Sequence, residues 1–224
     1  ADWSVLPWDR FVQWAGNSIR FGAITAVLAV AIAMLAAYAA RRSQDWVTRS
    51  TVGLISLGYA VPGAVIVVGL LLPVGWVQQA FPQWGFPALI TATSTGIIWA
   101  YLVRFTAIAL QALQSGYTRI PKSLDESARM LGVGRAGLLA RVHGPLLRRS
   151  ALTAALLVFV DVMKELPATM VLRPFNSDTL AVVAYQLARD ERLGEAALPS
   201  LALVLVGLVP VILLIRTMRS SAAR

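Results

Sequence analysis

The sequence has no cysteine, a single histidine (His143), and charged residues at only 14% of its 224 positions. Without cysteine there is no disulfide framework, no thiolate metal site and no cysteine nucleophile. One histidine excludes a metal centre built from several histidines. The phosphate-binding pattern G-x-x-x-x-G-K-[ST] is also missing from the sequence,. We therefore expect no ATPase site, no bound metal and no directly bound cofactor.

What the sequence has instead is long apolar stretches. Hydrophobic residues make up 58% of it, whereas a soluble domain carries about a quarter charged residues. Crossing a bilayer as a helix takes roughly 20 apolar residues. Five stretches satisfy this: Ser18–Ala40, Thr51–Leu72, Ala88–Ala112, Ala151–Leu172 and Ala196–Ile215. The sequence therefore predicts an all-α polytopic membrane protein with about five transmembrane helices, forming one domain over residues 1–224.

The basic residues indicate a topology for these spans. Lys and Arg collect in cytoplasmic loops of membrane proteins. Residues 41–50, 113–150 and 216–224 hold three, seven and three of the 20 Lys and Arg residues, against five in the segments on the other side. Five crossings then give an external N-terminus and a cytoplasmic C-terminus. An external start without a signal peptide predicts that the chain is the C-terminal part of a longer polypeptide.

Prolines interrupt three of the predicted spans. Pro62, Pro167 and Pro210 each remove a backbone donor inside an apolar stretch, which kinks a helix. In lipid such a kink persists where neighbouring helices or water satisfy the freed groups. The kink at Pro62 either serves packing or forms part of a gate along a pathway. Residues 73–87, which carry no charge, are expected to form an external loop.

Four charged residues lie inside the third and fourth spans: Arg104, Asp161, Lys164 and Glu165. Charges at such depth are costly and indicate function by default. Asp161 lies roughly 15 Å and Arg104 roughly 12 Å from the cytoplasmic ends of their spans, at 1.5 Å per residue. We expect Arg104 to pair with Asp161 or Glu165. The group is then either a structural ion-pair cluster or a polar lining of a pathway.

The longest predicted cytoplasmic segment, residues 113–150, has the pattern of a helix–turn–helix. Ser123 followed by Glu126 matches a capping box at a helix start. Gly132 and Gly134 then allow the first helix to end in a turn. A second amphipathic helix follows and is expected to stop at Gly144–Pro145.

The spacing of this segment resembles the EAA loop of binding-protein-dependent ABC importer permeases. Glu126, Ala128, Gly132, Val142 and Pro145 fall in register with that pattern, whereas Ser127, Val142 and Gly144 replace its alanine, isoleucine and leucine. The resemblance implies the transmembrane domain of a type I importer, whose loop docks on a cytoplasmic ATP-binding subunit that consumes the ATP. The docking residues it implies are Leu124, Glu126, Ser127, Ala128, Leu131, Gly132, Val142 and Pro145.

A second resemblance covers nearly the whole chain. The segments Met163–Thr169, Leu172–Phe175 and Asp178–Leu180, together with Val61–Gly63 and Tyr101–Phe105, are similar to the second half of ferric-iron permeases. The resemblance implies a permease of the bacterial inner membrane that passes ferric iron from a periplasmic binding protein to the cytoplasm. It also implies that the external N-terminus lies in the periplasm. Its other expected partners are membrane lipid and a second permease half, fused or separate, and no nucleic acid is expected.

Other functions stay open at this stage. Permeases of the same type that carry thiamine, phosphonate or polyamine share the frame, so fold alone does not settle the cargo. An intramembrane enzyme would need a catalytic constellation that one histidine and no cysteine do not supply. A membrane scaffold without transport is disfavoured by the charged residues and prolines within the spans.

Overall fold

A computed structural model describes residues 8–43 and 45–222, with side chains in the last helix given up to residue 212 except at residue 210. The sequence predicts an external N-terminus and a cytoplasmic C-terminus. Both termini, residues 1–7 and 223–224, lie outside this range. Within it, the chain is helical, and the prediction of an all-α polytopic protein is confirmed. The helices are α1 (Trp8–Arg42), α2 (Trp46–Leu57), α3 (Gly63–Ala80), α4 (Phe86–Thr91), α5 (Ser94–Tyr117), α6 (Lys122–Met130), α7 (Arg135–Gly137), α8 (Gly144–Met163), α9 (Pro167–Leu172), α10 (Leu180–Arg189) and α11 (Leu193–Ala222).

Three described helices are both long and apolar enough to cross a membrane: α1, α3 and α5. Helix α8 has 20 residues, but it includes Arg148, Arg149 and Asp161. The predicted second, third and fourth stretches are each divided between two helices. The first and fifth each lie within one helix, α1 and α11.

The core forms where α1, α5 and α8 pack against one another. Helix α1 contributes Ala29, Ala33 and Ala37, four residues apart and all buried. This spacing puts the three methyl groups on one face. Small side chains let helix backbones approach closely inside a membrane, where packing drives helix association. The alanine face of α1 therefore brings the end of this helix alongside α5.

The predicted kink at Pro62 is a complete break. Helix α2 ends at Leu57, a 3₁₀ turn covers Gly58–Ala60, and Pro62 then precedes the first residue of α3. A Cβ on Gly58 would lie 2.0 Å from the Val103 carbonyl oxygen, so the break presses directly on the α5 backbone. Since proline has no N–H to donate, it fits at a helix start where that donor is unpaired in any case.

The other two prolines behave differently from each other. Pro167 begins α9 after a break that follows Met163. Pro210 lies within α11, whose backbone continues past it, and its side chain is outside the described range. The predicted loop over residues 73–87 is wrong, since α3 continues through Pro73 to Ala80. In lipid, a single segment can pair its own backbone N–H and C=O groups only by forming a helix. This favours continuation of α3 beyond Pro73.

Candidate functional site

The loop segment, residues 121–145, connects the core helices α5 and α8 and contains the predicted docking residues. Its first helix, α6, ends in a left-handed residue, Gly132, with a φ of 80°. The Gly132 N–H donates to the Arg129 carbonyl at 2.9 Å and the Val133 N–H to the Ala128 carbonyl at 3.0 Å. This bond pair is the Schellman arrangement that ends many helices. The turn predicted at Gly132 is therefore present.

The predicted capping box at the start of this helix is wrong. The residue that precedes α6 is Pro121, and no side chain caps it. Ser123 already lies in the first turn, where its carbonyl accepts a hydrogen bond from the Ser127 hydroxyl at 2.9 Å. The extended backbone of Pro121, with φ −66° and ψ 147°, starts the helix two residues earlier than the serine pattern predicts.

The predicted stop at Gly144–Pro145 is also wrong. A π-helical segment, Leu138–His143, joins α7 to α8, and the Gly144 N–H donates to the Leu139 carbonyl five residues back. The helical path is thus continuous from α7 to the end of α8. A π turn shifts the register of the hydrogen bonds, which accommodates the missing N–H of Pro145 at the start of α8. The end of the loop segment and α8 therefore form one uninterrupted helical path.

The predicted docking residues differ in exposure. Leu131 is 84% exposed, and Met130, which the prediction omitted, is 89% exposed. Leu124, Glu126 and Ser127 are also exposed, as are Gly132 and Pro145. Ala128 is buried and Val142 is half-buried. The turn after α6 thus presents two adjacent large apolar side chains to solvent, while the opposite face of α6 packs inward.

The inward face of α6 is held by Arg41 at the end of α1. Arg41 Nε donates to Asp125 Oδ2 at 2.8 Å, and Nη2 donates to Oδ1 at 3.1 Å. The remaining donors reach the carbonyls of Tyr117 at 3.3 Å, Ile120 at 3.0 Å and Pro121 at 3.1 Å. A guanidinium has five N–H donors, so every donor of Arg41 is used. One side chain therefore ties the end of α1 to the α5–α6 junction.

His143 completes this network from the π segment. Its Nε2 lies 3.0 Å from Asp125 Oδ1 and its Nδ1 lies 3.1 Å from the Tyr117 hydroxyl. The imidazole is fully buried and packs edge-on against the rings of Tyr117 and Tyr38. Both ring nitrogens thus have partners, as a buried histidine requires. We call Arg41, Asp125, His143 and Tyr117 the junction network.

The junction network sets the ionisation of Asp125. Burial opposes the charged form, but hydrogen bonds and charge from Arg41 and His143 outweigh it, and the pKa of Asp125 lies below its ordinary value,. Sequence reasoning missed all four network residues as site residues. One signal was available in the sequence. Asp125 lies three residues before the small Ala128, a spacing that puts both on the same helix face, and this face is the buried one.

The charged residues in the membrane spans form two separate pairs. Arg104 Nη1 lies 3.4 Å from Glu165 Oε1, so Glu165, and not Asp161, is the partner of Arg104. Asp161 Oδ1 instead pairs with Lys164 Nζ at 2.7 Å. The two pairs differ in burial, since the Glu165 side chain is 3% exposed and that of Lys164 is 66% exposed.

Glu165 is fixed by the start of α9. Its carboxylate accepts the N–H groups of Ala168 at 3.3 Å and Thr169 at 3.1 Å, and the Thr169 hydroxyl at 3.0 Å. The Thr169 hydroxyl also lies 2.6 Å from the Tyr101 hydroxyl of α5. The carboxylate thereby satisfies donors that the break before α9 leaves without helical partners.

Gly63, the first residue of α3, lies against the same pair. A Cβ built on Gly63 would lie 2.6 Å from both Arg104 Nη1 and Glu165 Oε1. Only glycine fits there without displacing one of them. The Arg104–Glu165 pair therefore joins the two helix breaks, before α3 and before α9, to the α5 helix. The sequence offered Gly63 only as a neighbour of Pro62.

Comparison with known proteins gives a consistent relationship. A model of the family described as binding-protein-dependent transport system inner membrane component matches residues 29–222. The Fe(3+)-transport system permease protein FbpB 2 of Haemophilus influenzae is 26% identical over 212 residues, which cover 94% of this chain and 40% of that protein. The trehalose transport system permease protein SugB of Mycobacterium tuberculosis is 28% identical, over 79% of this chain and 60% of its own length. The chain thus spans less than two thirds of either relative.

A solved structure shares the fold. The crystal structure of a bacterial alginate ABC transporter, in complex with an alginate pentasaccharide-bound periplasmic protein, contains a chain that superposes with a TM-score of 0.69. The match covers 92% of this chain and 77% of that one, at 14% sequence identity. At that identity the similarity concerns the fold alone.

Proposed function

The chain belongs to the family of binding-protein-dependent transport system inner membrane components, and on that premise we propose that it is the permease subunit of an ATP-driven importer. The observation that carries this proposal is the loop segment. Its turn leaves Met130 and Leu131 almost fully exposed, while Arg41 and His143 hold its base. Adjacent large apolar side chains on a well-held turn suit burial against a partner protein.

The partners follow from this arrangement. A cytoplasmic ATP-binding subunit receives the turn at Met130 and Leu131, with Glu126 exposed beside them. That subunit hydrolyses the ATP, and this chain contributes no catalytic residue. A periplasmic binding protein delivers the cargo on the opposite side, and a second permease half completes the pathway. The loop segment is then cytoplasmic and the start of the chain is periplasmic.

Docking is tested by removing the exposed apolar surface and measuring association with the ATP-binding subunit. The double variant Met130→Ala with Leu131→Ala, and separately Glu126→Lys, should insert normally but lose copurification of that subunit and lose uptake. A matched control, Leu146→Ala with Leu152→Ala, removes exposed apolar side chains on α8 outside the turn. Normal copurification and uptake in both turn variants would overturn the docking assignment.

For the cargo, we propose ferric iron. The similarity to the Haemophilus permease FbpB 2 covers 94% of this chain. The similarity to the trehalose permease SugB covers 79%, which makes a sugar the second candidate. Proteoliposomes that contain the assembled transporter should take up radiolabelled ferric iron from its loaded binding protein when ATP is supplied. Uptake of radiolabelled trehalose in place of iron would support the second candidate.

The two ion pairs receive different roles in this proposal. The buried Arg104–Glu165 pair holds the helix breaks in register, whereas the more exposed Asp161–Lys164 pair lines the pathway. Asp161→Asn combined with Lys164→Gln should leave the folded yield unchanged and lower uptake. Arg104→Ala should lower the folded yield itself. An unchanged uptake in the first variant would remove the pathway role of that pair.

A further inference from the structure

Arg42 differs sharply from its neighbour Arg41. Every donor of Arg41 is used inside the chain, whereas Arg42 is exposed and lines a cavity of about 210 Å³ between α1 and the loop segment. Two further arginines line the same cavity, Arg129 from the last turn of α6 and Arg135 from α7. A single water needs only roughly 10–15 Å³ on the same measure. The cavity is therefore large enough for a polar group with its own solvation.

The charge of this cavity is uncompensated within the described chain. No Asp or Glu is among its lining residues. All three arginines are exposed, and none of their guanidinium groups makes a hydrogen bond or ion pair in the described part of the chain. Three like charges from three separate elements repel one another when brought together. Such a concentration favours an anion from outside the chain.

The position of the cavity selects the kind of anion. Helix α1 is long and apolar enough to cross a membrane, and Arg42 is its last residue. The uncharged run of residues 21–40 in α1 ends at Arg41 and Arg42, so we place the cavity at the membrane–water boundary, where lipid phosphates lie. Its other walls include Tyr38 and Leu138, which suit the amphipathic boundary region. Arginine binds phosphate through paired N–H donors.

We propose that this cavity binds the phosphate of an anionic phospholipid, held by Arg42, Arg129 and Arg135. The Tyr38 hydroxyl donates to the Arg135 carbonyl at 3.0 Å and so keeps α7 beside α1. The lipid phosphate then bridges the end of α1 and the loop segment at the protein surface. The buried junction network bridges the same elements in the protein interior. The proposal goes beyond the permease function and requires no ATP-binding subunit.

The test measures lipid retention. The full chain is reconstituted in nanodiscs of phosphatidylglycerol or of phosphatidylcholine, released into mild detergent, and its bound lipids are counted by native mass spectrometry. Each basic residue near a membrane surface contributes about a fivefold gain in affinity for anionic lipid. Arg42→Gln, Arg129→Gln and Arg135→Gln together should therefore lower the affinity for phosphatidylglycerol roughly a hundredfold. Phosphatidylcholine should be retained poorly by every form.

A matched control removes the same charge elsewhere on the chain. Arg119→Gln, Lys122→Gln and Arg141→Gln change three exposed residues outside the cavity and should keep the lipid. Lysine at all three cavity positions should retain part of the binding, since an ammonium still attracts phosphate as a point charge. If the triple Gln variant does not fold, Arg42→Gln alone should still show about a fivefold loss.

Several outcomes would overturn the proposal. Equal retention in the cavity variant and the control would place the lipid elsewhere. Displacement of the lipid by inorganic phosphate at millimolar concentration would assign the cavity to a free anion. Loss of the lipid whenever the ATP-binding subunit is present would assign the three arginines to acidic side chains of that partner. Because the measurement counts bound lipid and not uptake, its failure leaves the permease function untouched.

Discussion

Arg41 and Asp125 form a two-pronged ion pair across 84 positions of sequence, with donor–acceptor distances of 2.8 and 3.1 Å. The pair joins the last turn of a membrane span to the first turn of α6. Arg41 also donates to three carbonyls at the α5–α6 junction. Such planar, paired geometry is specific to arginine. The loop segment is thus attached to both α1 and α5, and these helices should move together with it.

Replacing Arg41 should therefore cost more than the loss of one ion pair. Arg41→Ala leaves Asp125 buried without its main partner and three carbonyls without their donor, and we expect roughly 3–5 kcal/mol of destabilisation. Arg41→Lys should recover only part of it, because an ammonium has three donors and no planar fork. Thermal unfolding in detergent measures both. Arg119→Ala, at an exposed site on the adjoining turn, is the control and should change little.

The same pair predicts a pH dependence. The pKa of Asp125 is lowered from its ordinary value of 3.8, so the folded state favours the carboxylate. Its contribution to stability is complete above pH 3.8 and is lost as the pH falls through the lower folded-state pKa,. Asp125→Asn lacks this contribution. The gap between the unfolding temperatures of the parent and Asp125→Asn should therefore narrow at acid pH, and a constant gap would contradict the assignment.

The contacts of His143 predict a proton on its Nε2. The Asp125 carboxylate accepts a hydrogen bond and cannot donate one, so the Nε2 of His143 must carry the proton,. The Nδ1 lies 3.1 Å from the Tyr117 hydroxyl, and either group can be the donor of that hydrogen bond. Because the 224-residue chain has one histidine, nitrogen NMR of histidine-labelled protein gives a single imidazole. We expect a protonated Nε2. The Nδ1 signal then identifies the donor: an unprotonated Nδ1 shows that Tyr117 donates, and a protonated Nδ1 shows that Tyr117 accepts. An unprotonated Nε2 would contradict the hydrogen bond to Asp125.

The sequence predicts well what depends on local pattern. Long apolar stretches identify α1, α3 and α5 as helices that can cross a membrane, but not the breaks that divide three of the predicted spans. Gly132 identifies the turn because few other residues adopt its backbone conformation at so little cost. The depth of Arg104 in its span predicts that its partner is an acid at a similar depth on the next span. Which acid it is, Asp161 or Glu165, becomes clear only once the helix break after Met163 is known. After that break Glu165 pairs with Arg104, while Asp161 and Lys164 form their own pair.

What depends on distant packing is not predictable from local pattern. Arg41 follows an apolar span, a position that basic residues commonly occupy for topological reasons alone. Its role emerges only when the buried alanine face of α1, including Ala33 and Ala37, brings that helix against α5. Likewise, Gly144–Pro145 has the pattern of a helix stop, and the π segment that carries the chain past it ends at His143, whose partners Tyr117 and Asp125 lie on other helices.

Gly63 offers a test of the buried membrane pair. Gly63→Ala places a methyl group 2.6 Å from Arg104 Nη1 and Glu165 Oε1. Arg104 has a flexible side chain, but Glu165 is held by two backbone N–H groups of α9, so the Arg104–Glu165 contact should break. We expect a lower unfolding temperature and lower uptake. Gly69→Ala, in the same helix with no atom within 4 Å of the new methyl group, is the control and should leave both unchanged.

Gly132 and Gly134 provide a similar comparison in the loop segment. Neither would meet another atom within 4 Å on gaining a Cβ, but only Gly132 has a left-handed backbone, with φ 80°. Alanine at Gly132 must therefore either strain the turn by roughly 1–2 kcal/mol or let it unwind. Gly134 has φ −71°, which alanine adopts freely, so Gly134→Ala should behave as the parent.

The change in the turn caused by Gly132→Ala should also move Met130 and Leu131, because the turn sets their positions. Since the turn is exposed and far from the alanine-packed core, Gly132→Ala should leave membrane insertion and folded yield intact. If the ATP-binding subunit docks on this turn, as proposed, the variant should weaken its copurification several-fold and lower uptake, because the partner must first re-form the turn that it binds. Equal copurification by the two alanine variants would show that the partner does not require the Gly132 backbone, and the docking surface would then have to be sought on the exposed face of α6 at Leu124 and Glu126.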